Sequence, residues 1–78
     1  MNHIDRIDKL KGAGFELLQD NKDSAILGYL DVLILLEKDK SIIVARKRSI
    51  NSHIDFYLMG TYCGNDDKAI EYIKKIAR

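Results

Sequence analysis

Apolar positions along the chain recur with two periods. Near the start Ile4, Ile7 and Leu10 stand at near-helical spacing, with Asp5 and Lys9 at i,i+4 in the favourable order. This predicts an amphipathic helix, started by an Asn2 cap and stopped by Gly12 and Gly14, either of which can take a left-handed turn. Phe15-Glu16-Leu17 then alternates with strand period and predicts a short strand over 15–19, against the alternative that the first helix continues there. Asp20-Asn21-Lys22-Asp23-Ser24 is a polar turn cluster.

From 25 to 37 the even positions Ile26, Gly28, Leu30, Val32, Ile34 and Leu36 contrast with the odd set Leu27, Tyr29, Asp31, Leu33, Leu35 and Glu37. The pattern predicts one long strand with a fully apolar face and a mixed face. Lys38-Asp39-Lys40 reads as a tight charged loop, and 41–48, rich in β-branched residues, as the returning hairpin strand. A third long strand is predicted over 53–62, with Ile54, Phe56, Leu58 and Tyr62 on its apolar side. Asn65, Asp66 and Asp67 open a C-terminal helix whose stripe is Ala69, Ile70, Ile73, Ile76 and Ala77, with Lys74, Lys75 and Arg78 at the negative end of its dipole.

The expected fold class is therefore α+β in two layers over a single domain, 1–78. It runs helix, short strand, three-stranded antiparallel meander and C-terminal helix, with both helices on the even-numbered sheet face. That leaves the odd-numbered face to water, where an antiparallel sheet is ordinarily polar. Here it offers Tyr29, Leu33, Leu35, Ile43, Tyr57 and Met59 around Asp31, an apolar and aromatic patch with the composition of a protein interface. The competing reading closes the face with the first helix or the 15–19 segment. A carboxylate within such a strand needs a partner or water. Lys47 lies opposite Asp31 if the hairpin loop has three residues, and Arg46 if it has two or four. An even loop also brings Ile42 and Val44 to this face and sends Ile43 inward.

Composition narrows the function classes. The 78 residues are 46% hydrophobic and 32% charged, with 13 Lys+Arg against 12 Asp+Glu, a net charge of +1. A near-neutral chain lacks the general basic character of a nucleic-acid or anionic-membrane binder. The longest apolar run, 32–36, is far short of a membrane span, and acidic residues stand where a signal peptide would be apolar, so the expected location is the cytoplasm. One cysteine, Cys63, makes neither an internal disulfide nor a zinc cluster.

Catalytic signals are sparse. His53 and Asp55 would share a strand face, with Tyr57 further along it, which defines a ribonuclease-like alternative. Arg46, Lys47 and Arg48 form the local basic cluster and define a nucleic-acid-binding alternative. No phosphate loop, dinucleotide fingerprint, metal-ligand spacing or nucleophile elbow is present in the sequence, so no catalytic residue, metal, cofactor or small-molecule ligand is expected.

The helix, three strands and helix expected here resemble the topology of double-stranded-RNA-binding domains. Their lysine-rich phosphate clamp would fall on Gly64-Asn65-Asp66-Asp67-Lys68-Ala69, where two acids would repel phosphate. The order of helix, Lys11-Gly12-Ala13-Gly14-Phe15 and strands also resembles small mRNA-interferase toxins. Their catalytic Gly-Ser-His is matched here only by Asp23-Ser24-Ala25, and the chemistry does not carry over. The leading expectation is a small non-enzymatic interaction module of adaptor, immunity or inhibitor type. It would dock its mixed sheet face on a protein partner or on a second copy of itself as a homodimer.

Overall fold

The computed structural model describes residues 2–45 and 53–78, the latter span with side chains from Asp55 onward. Helix α1 (His3–Gly12) starts where Asn2 Oδ1 accepts the Asp5 amide at 2.8 Å and stops at Gly14, whose φ of +99° only glycine adopts without strain. Four strands follow, β1 (Glu16–Asp20), β2 (Ala25–Tyr29), β3 (Val32–Leu36) and β4 (Ser41–Ala45). Helix α2 (His53–Met59), strand β5 (Thr61–Cys63) and helix α3 (Asp66–Ile76) complete the order. Among the described residues the strands make one antiparallel sheet in the order β1-β2-β3-β4-β5. The α+β class and the strand meander expected from the sequence are present.

The long strand expected over 25–37 is instead two strands. Tyr29 pairs with Val32, so Leu30 and Asp31 form a two-residue hairpin turn, with Leu30 at φ +54° and 70% exposed. A leucine in the left-handed region is costly, and the β2–β3 ladder imposes it; beside it Asp31 Oδ1 accepts the Arg78 amide at 2.8 Å, which ties the segment after α3 to the turn. The hairpin changes which parity faces inward: Ala25, Leu27 and Tyr29 before it, then Val32, Ile34 and Leu36 after it.

The β3–β4 hairpin pairs Ile34 with Ile43 and Leu35 with Ile42, and the Glu37 amide donates to the Lys40 carbonyl at 2.9 Å. Four residues thus separate the strands, which is the even register, and Ile43 points inward.

Both α1 and α3 cover the same face, as expected. Ile7 and Leu10 of α1 and Ala69 and Ile73 of α3 pack on Phe15, Leu27, Val32, Ile34, Leu36 and Ile43. The other face is covered in part, over β3 and β4, and among the described residues the cover there comes from neither α1 nor the 15–19 segment, of which Leu18 reaches this face beside Gly28. Residues read as a third long strand form α2 and the short β5, and Phe56 of α2, fully buried, lies on Leu35, Ile42 and Val44, with Ile26 and Leu33 at the margin. The two-layer arrangement expected from periodicity is thus a sheet between α1/α3 and α2. Of the even-numbered core set, Ile26 and Phe56 belong to this second cluster, while Leu30 and Leu58 are exposed.

Gly60 makes the α2–β5 junction fit. A Cβ there would stand 2.2 Å from Ile42 Cγ2 and 2.6 Å from the Phe56 carbonyl oxygen, inside any real contact distance.

Candidate protein-docking surface

The seven residues expected to form one outer patch are dispersed by the hairpin and by α2. Tyr29 is on the inner face, its ring 5.0 Å from that of Phe15, with Lys74 Nζ 5.3 Å from its centroid. Ile43 is buried in the inner core, and Asp31 is a turn residue. Leu33 and Leu35 are on the outer face, half-buried and buried, in the layer beneath α2. Tyr57 and Met59 are exposed on α2 itself. The basic residues Arg46, Lys47 and Arg48 of the nucleic-acid alternative lie outside the described residues. His53 and Asp55 sit on helix α2 rather than on the long strand expected there, so the strand spacing that suggested a shared face does not apply.

What α2 brings together was not legible as a patch in the sequence. With Phe56 buried against the sheet, Leu58 stands on the opposite side of α2, 77% exposed, and Tyr57 and Met59 are exposed on its two flanks. Tyr62 on β5 pairs with Ile42 and is 52% exposed on the same outer side. The Tyr57 and Tyr62 rings are 6.4 Å apart, tilted by 39°, and Lys40 Nζ stands 5.8 Å and 5.7 Å from their centroids. Glu37 Oε1 is 3.9 Å from that ammonium. A hydrogen bond to the Glu37 carboxylate holds the Tyr57 phenol protonated, pushing its pKa up to about 12, with burial and the Glu37 and Tyr62 charges acting in the same direction. Other exposed apolar residues, including Ile4, Leu18, Leu30 and Tyr72, are on other elements.

The hairpin that supplies Glu37 and Lys40 is held in place from below. Arg6 of α1 grips Asp66 with a two-pronged contact, Nε to Oδ2 at 2.7 Å and Nη2 to Oδ1 at 2.9 Å. The same guanidinium donates to the backbone carbonyls of Glu37 and Lys40, the latter at 3.2 Å. One arginine thus ties α1, the β3–β4 loop and the first turn of α3, and its side chain and that of Asp66 are each only 12% exposed. One helical turn on, Lys9 Nζ meets Asp67 Oδ1 at 2.5 Å. The acids that argued against a phosphate clamp therefore serve as partners for α1.

Beside Arg6 an open cleft of about 640 Å³ is lined by Asn2, His3, Lys22, Glu37 and Lys38 among others, a mixture of both charge signs. On its flank His3 Nε2 is 2.8 Å from Asp20 Oδ1, a contact that holds the Asp20 carboxyl below its ordinary value. Among the described residues no three His, Cys, Asp or Glu side chains are placed to hold a metal ion, and no helix is long and apolar enough to cross a membrane. Compared with known proteins, the chain matches no family model, no curated protein and no solved structure.

Proposed function

We propose that the chain is a small protein-interaction module that docks through the outward surface of α2 and β5, formed by Tyr57, Leu58, Met59 and Tyr62. One observation carries the reading: Tyr57 and Tyr62 are exposed side by side, their rings 6.4 Å apart, and Leu58 and Met59 are exposed on the same short helix, while the side of α2 facing the sheet is already filled by Phe56. Leaving this much apolar surface in water is unfavourable unless something covers it, and Tyr and Met are enriched at interface centres. Charged Glu37 and Lys40 at the margin supply a polar rim. The docking surface is thus not the sheet face that the sequence pattern suggests but the outer side of the helix that covers it.

A photo-crosslinking residue placed at Leu58 in the cell of origin tests this, with one at Lys11, at the exposed end of α1, as control. A discrete protein adduct from position 58 and none from position 11 is the expected result. An adduct with a second copy, reproduced with the purified chain, assigns the partner as self. The same adducts from both positions, or none from 58, overturn the proposal.

A further inference from the structure

We infer that Tyr57, Tyr62 and Glu37 form a recognition site for an arginine guanidinium presented by the docking partner, and that Lys40 occupies this site in the free chain. The inference rests on the docking surface proposed above and names the chemistry of its partner. Two tyrosine rings 6.4 Å apart both face one cation, the Lys40 ammonium, at 5.7 and 5.8 Å from their centroids. A cation within about 6 Å of an aromatic centroid is attracted by the ring quadrupole. The third wall is a carboxylate, Glu37, which gives the site its charge complementarity to a cation.

Lys40 fills this site poorly. Its Nζ is 3.9 Å from Glu37 Oε1, beyond hydrogen-bond distance, and its side chain is partly in water, so it can leave. A strongly hydrated ammonium gains little from such a half-open cage. A guanidinium is planar, less strongly hydrated, stacks on tyrosine faces and can fork onto a carboxylate, so it uses all three walls together. Displaced, Lys40 swings into solvent, and no charge is buried without a partner.

The experiment follows the tyrosine ring proton signals by NMR in three proteins, wild type, Lys40→Ala and Tyr62→Leu. Each is titrated with a blocked arginine amide, a blocked lysine amide, or sodium chloride at matched ionic strength. Arginine amide is expected to give saturable shifts of the Tyr57 and Tyr62 rings and to bind more tightly than lysine amide. Removing the internal competitor in Lys40→Ala should tighten binding by about two- to fivefold, the equivalent of one exposed cation–π contact. Tyr62→Leu should abolish the response. Equal affinity of Lys40→Ala and wild type, shifts no different from those in salt, or an unchanged response in Tyr62→Leu would each overturn the inference. The crosslink from position 58 does not use these groups. A failed cage with a retained crosslink leaves the docking surface standing, whereas loss of the crosslink removes the docking surface itself.

Discussion

Replacing Phe56 tests whether α2 covers the outer face of the sheet. Phe56 is fully buried against Leu35, Ile42 and Val44, a cluster separated by the sheet from the core under α1 and α3. Truncation of a buried Phe to Ala costs about 3–5 kcal/mol, of which part is the cavity left behind. A chain of 78 residues has a total stability of about 4–12 kcal/mol, so Phe56→Ala removes a large fraction of it and lowers the melting temperature steeply. The milder Phe56→Leu permits a more selective assay, a double-mutant cycle read by urea unfolding. Combined with Ile42→Val, which shares the outer cluster, it should show a coupling of about 0.5 kcal/mol or more. Combined with Ile34→Val, across the sheet in the other core, it should be additive to within about 0.5 kcal/mol. Coupling to Ile34 without coupling to Ile42 would refute the placement of α2.

Three further outcomes are expected. Gly60→Ala should destabilise by about 1–3 kcal/mol, since its Cβ would overlap both Ile42 and the Phe56 carbonyl, and should loosen amide-exchange protection in α2 before β2; an unchanged melt would contradict that close approach. Arg6→Lys keeps the charge but loses the fork to Asp66 and the carbonyl contacts, and should cost about 1–3 kcal/mol by chemical unfolding, where a rim ion pair would cost almost nothing. Tyrosinate absorbance should place the Tyr57 titration near pH 12; because its folded value lies above its ordinary one, the stabilisation it contributes is complete below about pH 10 and is lost as the pH rises through 12. Glu37→Gln should bring that titration back toward the ordinary value.

The parts of the fold that the sequence reveals are those where local chemistry decides. Asn2 and Asn65 cap α1 and α3 as their positions suggest, Gly14 stops α1, and Phe15 and Leu17 alternate inward. The hairpin at Leu30 and Asp31 is hidden because residues on both faces of β2 and β3 are apolar, so period-2 alternation runs through it. Leucine in a left-handed turn gives no glycine or asparagine signal. The one available cue was Asp31, whose carboxylate is costly within a strand and natural in a turn that holds the Arg78 amide. The seven residues of α2 alternate well enough to imitate a strand, and tertiary burial of Phe56 decides otherwise. Ser52 followed three residues later by Asp55, with Gly60 at the far end, is the helix signature that competes with that alternation. Tyr62 and Leu58, assigned by parity to the core, become surface because the period changes at 53, and Lys40 and Glu37 reach them only through the hairpin fold.

The central claim is that α2 covers the β3–β4 part of the outer sheet face and that the outer side of α2 docks. It is tested most directly by placing the same charge on each layer, Leu33→Lys beneath α2 and Leu58→Lys upon it, and measuring melting temperature together with the position-matched crosslink. Leu33 is half-buried at the edge of the Phe56 cluster, so a lysine there should lower stability by about 1–3 kcal/mol. Leu58 is 77% exposed, so Leu58→Lys should melt like the wild type while a crosslinker at neighbouring Met59 no longer finds its partner. A Leu33→Lys protein with unchanged melting, or a Leu58→Lys protein that unfolds or still gives the adduct, would contradict the account.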